Sequence, residues 1–231
     1  MIYPDLATLI DDTATELSSL IADVHSTGRR AKIVLTGGTA GIKLLERLRD
    51  EPIDWTGVDV FFGDERNVPV DHPDSNEGQA REALLNHVDI PEENIHGYGL
   101  DGGSMDAAVA RYREVLDAHA PDGFDLHLLG MGGEGHINSL FPHTAAVRER
   151  DAMIVAVTDS PKPPAERATL TLPAVQSADH VWLLVSGAEK AEAASHVSDG
   201  VDGADEWPVA GALGRKETVL RITEDAAGPS N

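Results

Sequence analysis

Cysteine is absent from the 231 residues, which excludes disulfides and thiolate metal sites and leaves the compartment undetermined. No run approaches the roughly 18 apolar residues that a membrane span requires. The amino terminus, Met1-Ile-Tyr-Pro-Asp-Leu6, lacks the basic region and apolar stretch of a signal peptide, so cytoplasm is the expected location. Lysine is scarce, with five in all, so each one is open to a specific reading. Cations together number 18 against 40 acids, for a formal charge of −22. A surface of that sign disfavours nucleic acid and anionic membrane as partners. It also repels small anions in general, so any local cluster of Lys, Arg and free backbone N–H groups marks a place built to accept one. Most of the acids simply solvate the surface.

What the chain does have is a glycine-rich stretch, Phe124-Asp-Leu-His-Leu-Leu-Gly-Met-Gly-Gly-Glu-Gly-His136, that begins as a buried strand. Four glycines within six positions then form a tight loop at the strand's carboxyl end, where open α/β sheets bind ligands. His136 follows directly, a residue type suited to proton transfer near neutral pH. Gly130, Gly132 and Gly135 also match the dinucleotide fingerprint, which requires a long helix next and an acid after the following strand. Pro142 limits any such helix, and Asp151 precedes the strand Met153–Val157 instead of following it. The dinucleotide reading is therefore set aside.

Along the chain, apolar residues at 3–4 spacing predict a helix over 4–27, closed by Gly28. The strand Ala31–Leu35 runs through Thr36-Gly-Gly-Thr-Ala-Gly41 into a helix, the geometry that aims free N–H groups at an anion. A strand from Val58 to Phe62 ends in Asp64-Glu-Arg66, which reads equally well as a structural ion network or as site residues. A long polar loop then leads into a helix carrying Ala83, Leu84, Leu85 and Val88; unstructured loops of that length are usually functional. Further helices are expected over 104–119, 188–197 and near 207–213. Extended segments are expected at 153–157, 168–172, 180–185 and 218–222, with a turn at Pro173 and a frayed tail from Ala226 to Asn231. Lys162 and Arg167 sit on a stiff loop with three prolines, Pro161, Pro163 and Pro164, and in so acidic a chain they suggest an anion clamp. Alternating strands and helices predict a doubly wound, mostly parallel α/β sheet with a small additional subdomain, residues 1–231 forming one domain.

Four motifs in order carry a resemblance: Thr36-Gly-Gly-Thr39; Asp64-Glu-Arg-Asn-Val-Pro69 with Ser75-Asn76; Gly130–His136 with Ser139-Leu-Phe-Pro142; and Ser160-Pro-Lys-Pro-Pro164 with Arg167. The chain resembles 6-phosphogluconolactonases of the type related to glucosamine-6-phosphate deaminase. The resemblance implies a Rossmann-like fold and hydrolysis of 6-phospho-D-glucono-1,5-lactone to 6-phosphogluconate in the oxidative pentose phosphate pathway, with no cofactor and no metal. Deaminases, the alternative, typically carry an Asn-Glu-Pro segment where this chain has Ser139-Leu-Phe-Pro142. A sugar-phosphate-binding regulator without turnover is the other alternative, and it would be expected to lose His136. Within the resemblance, Ala40 and Gly41 replace a hydroxyl and a proline, Glu134 replaces an aspartate, and Leu220–Asp225 lacks an aromatic residue.

On these grounds His136 is expected to be the general base, with Glu134 orienting it or shaping the loop and with its pKa raised by Glu134 and the acidic surface. Arg66 is expected to stabilise the oxyanion or hold the phosphate. Asp64 is the next candidate for the base. Thr36, Gly37, Gly38, Thr39, Asn76, Lys162 and Arg167 make up the expected substrate and phosphate site. The other nine histidines, His25, His72, His87, His96, His119, His127, His143, His180 and His196, show no metal-ligand spacing and receive no role. Monomer and homodimer both remain open.

Overall fold

The computed structural model describes residues 1–228. Its centre is a six-stranded sheet in the order β1-β9-β8-β5-β2-β3, with every neighbouring pair parallel. The strands are β1 (Ile2–Tyr3), β2 (Ala31–Leu35), β3 (Val58–Phe62), β5 (Leu126–Leu129), β8 (His180–Val185) and β9 (Glu217–Thr223). Every residue of β3 and β5 is buried. Parallel strands covered on both faces need such nearly continuous apolar runs, which is why they were legible as runs and not as alternations.

Helix α1 (Leu6–Ser26) starts at Asp5, whose carboxylate accepts from Thr8 N at 2.8 Å, and buries Leu9, Ile10, Ala14, Leu17 and Ile21 along one stripe. Each buried Leu or Ile side chain there contributes about 1.5–3 kcal/mol. Thr27 caps the carboxyl end, and Gly28 beyond it adopts φ +76°. Helix α2 (Gly38–Leu48) packs against α1, and α3 (Asn76–Ala83) packs against α2. Helix α4 (Met105–His119) begins at the Ser104 cap.

A second, antiparallel sheet of order β4-β7-β6 joins β4 (Asp64–Arg66), β7 (Arg167–Leu170) and β6 (Ile154–Val157), and α4 packs against β6 and β7. This is the additional small unit expected beside the main sheet. Strands β3 and β4 are separated by Gly63 alone, so one chain segment serves both sheets.

Several expected elements differ. The turn at Pro173 is a short helix, α6 (Leu172–Gln176), with the proline in its first turn, where its missing N–H costs nothing, and with Thr171 as cap. The helix through Val88 stops at Ala83 and continues as a 3-10 turn, Leu85–His87. The segment 188–197 is a 3-10 turn, Ala188–Lys190, followed by α7 (Ala191–Ser195). Near Trp207 only a 3-10 turn forms, Pro208–Gly211. Ala226 is buried and its N–H donates to Thr223 O, so the tail is anchored there; residues 229–231 lie outside the described residues. Helix α5 (Ala145–Arg148) is the first helix after the glycine loop and lies beyond Pro142, unlike a dinucleotide fold.

Candidate functional site

Chain order reverses between β2 and β5, which are sheet neighbours although β3, β4 and three helices, α2, α3 and α4, separate them in sequence. The loops that leave the carboxyl ends of these two strands flank the crevice where such sheets bind ligands. They are joined directly: Gly130 N donates to Thr36 Oγ1 at 3.0 Å. The cleft between them has a volume of about 190 Å³, room for a small polar molecule.

One wall is the amino terminus of α2. Gly37 caps it without a side-chain hydrogen bond, so the N–H groups of the first turn face the cleft without a capping acceptor. Gly37 has a packing reason as well: a Cβ there would sit 2.7 Å from Asn76 Oδ1. Gly41 has another, since a Cβ would overlap the Thr36 carbonyl, with Thr36 C and Cγ2 each at 3.0 Å. The departure at Gly41 thus lets the first turn of α2 fold back tightly on its own loop. Thr36, Gly37, Gly38, Thr39 and Ala40 all border the cleft.

Strand β4 forms the opposite wall, and its alternation separates the roles of its three residues. Asp64 and Arg66 border the cleft, whereas Glu65 turns away and is 4% exposed. The Glu65 carboxylate accepts from Arg66 N (2.8 Å), Asn76 N (2.7 Å), Glu77 N (2.8 Å) and Ser75 Oγ (3.0 Å). Burial nonetheless pushes its pKa up. It pins the start of α3 against β4 and is structural. Asn76, so placed, donates to Asp64 Oδ1 at 3.0 Å and accepts from Arg66 Nη1 at 2.6 Å. Asp64 Oδ2 accepts from Ser139 Oγ at 2.6 Å. Ser139 is fully buried and also receives Arg167 Nη1 at 3.4 Å, so the Ser139–Pro142 segment serves to hold Asp64 in place.

His136 enters the cleft from the glycine loop after β5. Its ring stacks on Phe141 with centroids 4.7 Å apart and planes at 28°. Nδ1 lies 3.0 Å from Glu134 Oε1, and the same oxygen accepts from Lys162 Nζ at 2.9 Å. Burial would raise the Glu134 pKa, but the hydrogen bond from Lys162 and the nearby charges hold it below its ordinary value. The imidazole pKa is lowered, contrary to the expected rise: burial, then the Lys162 ammonium, outweigh Glu134 and Asp64. Glu134 therefore orients a neutral imidazole instead of charging it.

The structure brings together Thr36, Gly37, Gly38, Thr39, Asp64, Arg66, Asn76, His136 and Arg167. It places two expected residues differently in detail. Lys162 reaches Glu134 and His136 instead of the Thr36 loop. Arg167 is 4% exposed and spends much of its guanidinium on its own loop, donating to the Pro164, Lys162 and Pro163 carbonyls at 2.9–3.2 Å. Two residues were missed. Lys190 borders the same cleft as the α2 terminus, and its side chain makes no ion pair or hydrogen bond among the described residues. It follows β8, the neighbour of β5, so sheet order would have placed it at the same edge. Asn138 also borders the cleft, in a left-handed conformation (φ 48°), with Nδ2 3.4 Å from His127 Nε2. Burial pushes the His127 pKa down to about 3, so this ring is a neutral support for the loop.

The family model described as glucosamine-6-phosphate isomerases/6-phosphogluconolactonase matches residues 4–220. A 6-phosphogluconolactonase of Mycobacterium leprae (strain TN) is 47% identical over 237 residues, covering 98% of this chain and 96% of that protein. Its counterpart in Mycobacterium tuberculosis (strain ATCC 25618 / H37Rv) is 48% identical with the same coverage. The crystal structure of 6-phosphogluconolactonase from Thermotoga maritima superposes with a TM-score of 0.86 at 25% identity, covering 97% of this chain and 98% of that one. A monomeric glucosamine-6-phosphate deaminase shares the fold at 21% identity, with a TM-score of 0.83 and 98% coverage of both chains.

Proposed function

The chain belongs to the family of glucosamine-6-phosphate isomerases and 6-phosphogluconolactonases, and from that premise we propose that it hydrolyses 6-phospho-D-glucono-1,5-lactone to 6-phosphogluconate, a step of the oxidative pentose phosphate pathway. The observation that carries the reading is His136, its Nδ1 3.0 Å from the Glu134 carboxylate, in one cleft with the uncapped amino terminus of α2.

With the Nδ1 proton donated to Glu134, Nε2 keeps its lone pair and takes a proton from water as that water attacks the lactone carbonyl. Negative charge develops on the carbonyl oxygen, and Arg66 together with backbone N–H groups of the glycine loop stabilises it. As the tetrahedral adduct collapses, the imidazolium returns its proton to the departing ring oxygen, which opens the ring and restores the base. The N–H groups of the α2 terminus, Thr39, Lys190 and Arg167 hold the phosphate, the helix supplying oriented donors and Lys190 a point charge. Asp64, held by Asn76 and Ser139, orients the water or a sugar hydroxyl.

Ser139 argues against the deaminase reading. Its hydroxyl is tied to Asp64, and the segment that follows it, with Leu140 and Phe141 buried, carries no acid into the cleft. No helix among the described residues is long and apolar enough to cross a membrane. We read the chain as one catalytic domain over 1–231, acting in the cytoplasm as a monomer or homodimer without nucleic acid. The direct test is acid release from freshly generated lactone. Loss of the lactone no faster than its spontaneous opening would overturn the proposal.

A further inference from the structure

Lys162 is one of five lysines and stands on the proline loop between β6 and β7. Its backbone is fixed: its carbonyl accepts from Ser160 Oγ at 2.9 Å and from Arg167 Nη2 at 2.9 Å. Its side chain crosses toward the glycine loop, with Nζ 6.0 Å from the centre of the Phe141 ring on which His136 stacks. There it meets Glu134 Oε1 at 2.9 Å and His136 Nδ1 at 3.3 Å. Two donors therefore converge on one carboxylate oxygen. An ammonium can only donate, and the shorter contacts both run to Glu134, so the arrangement is satisfied when Nδ1 carries a proton aimed at Glu134. Nε2 has no protein partner among the described residues and is left for water.

We propose that Lys162 is a positioning residue for the hydrolytic step: it clamps Glu134, fixes the Nδ1–H tautomer of His136 and opposes a second proton on the ring, and it is not part of the phosphate handle. This rests on the reading of His136 as the base. The second effect is charge repulsion. An imidazolium would place a positive ring edge 3.3 Å from an ammonium, with Glu134 shared between them. The charged groups that face the ring are Glu134 from its own loop, Lys162 from the proline loop and Asp64 from β4. Arg66, Arg167 and Lys190 line the same cleft and add positive charge on the substrate side. Removing Lys162 frees Glu134 to attract a proton to the ring and removes the repulsion, so both consequences have the same sign. The lowered pKa of His136 agrees with this balance.

The test uses the wild type, Lys162→Met and Lys162→Arg, with the His136 resonances identified by their loss in His136→Asn. NMR titration of the ring nitrogens reads tautomer and pKa, and kcat and KM are measured against pH on the same proteins. In the wild type Nε2 is expected to be the unprotonated nitrogen. Lys162→Met should raise the His136 pKa by about one unit, because the ammonium is half exposed and the shift falls at the low end for close charges. The acid limb of kcat/KM should move with it, while KM for the phosphorylated lactone near neutrality stays unchanged. Lys162→Arg, always charged, should keep the wild-type limb. An unchanged His136 pKa in Lys162→Met would overturn the proposal, as would a loss confined to KM for the phosphorylated substrate. Should the Met variant not fold, Lys162→Gln carries the same expectations. The titration needs no turnover, so a wild type that fails to hydrolyse the lactone would sink the hydrolase reading and still leave this proposal decided by NMR.

Discussion

Lys190→Ala separates the phosphate handle from the hydrolytic machinery. The side chain borders the same cleft as the first turn of α2 and has no partner among the described residues, so its donors are free for a ligand. A hydrogen bond to a charged group contributes about 1.5–3 kcal/mol, and the partial exposure of Lys190 places it at the low end, equivalent to about tenfold in KM. The interaction is with a phosphate remote from the reacting carbonyl and is equal in ground and transition states, so kcat should change little. The assay compares 6-phosphogluconolactone with unphosphorylated gluconolactone, following acid release with spontaneous opening subtracted at each pH. KM should rise for the phosphorylated lactone only. An equal loss on both substrates, or none on either, would remove Lys190 from the handle.

Three further outcomes follow from the same geometry. Because burial and Lys162 hold the His136 pKa below its ordinary value, kcat/KM should climb through a free-enzyme pKa under about 6.5 and be level at neutral pH; an acid limb centred well above 7 would contradict this. Gly41→Ala should lower stability, since the overlap with the Thr36 carbonyl costs about 1–3 kcal/mol and outweighs a helix-propensity gain of about 1 kcal/mol; thermal melting should show a fall of a few degrees, and a rise would refute the packing argument. Ammonia release from glucosamine 6-phosphate should be undetectable at protein levels that hydrolyse the lactone rapidly, because the Ser139–Pro142 segment brings no acid to the cleft; robust ammonia production would reverse the assignment.

The elements that sequence reading recovered are those whose burial is written locally. Strands β2, β3, β5 and β8 are short apolar runs, and α1 is a long stripe with its cap residue in place. Strand β1 was invisible because it is two residues long and its Ile2 is exposed. The joining of β4 to the β6–β7 pair in a second sheet depends on pairing partners about 100 residues apart, which no local pattern encodes. At the site, His136, Glu134, Asp64 and the Thr36 loop were legible because glycine spacing and strand ends mark them. Glu65 was ambiguous until the pleat of β4 turned it away from Asp64 and Arg66. Lys190 was missed because it follows β8 by several residues in a short 3-10 turn, and only sheet order shows that this edge adjoins the glycine loop. The sign of the His136 shift was misjudged because Lys162, 26 residues away in sequence, is the neighbour that decides it together with burial.

The central claim is that a neutral His136 activates water for lactone opening. The most direct measurement is kcat for 6-phosphogluconolactone hydrolysis by the wild type and by folded His136→Asn, with the spontaneous reaction subtracted. Asparagine keeps much of the size and some hydrogen bonding but is no base near neutrality, so kcat should fall by roughly 10²–10⁴ with a modest change in KM. Near-wild-type kcat in the folded variant would place the base elsewhere, with Asp64 as the next candidate.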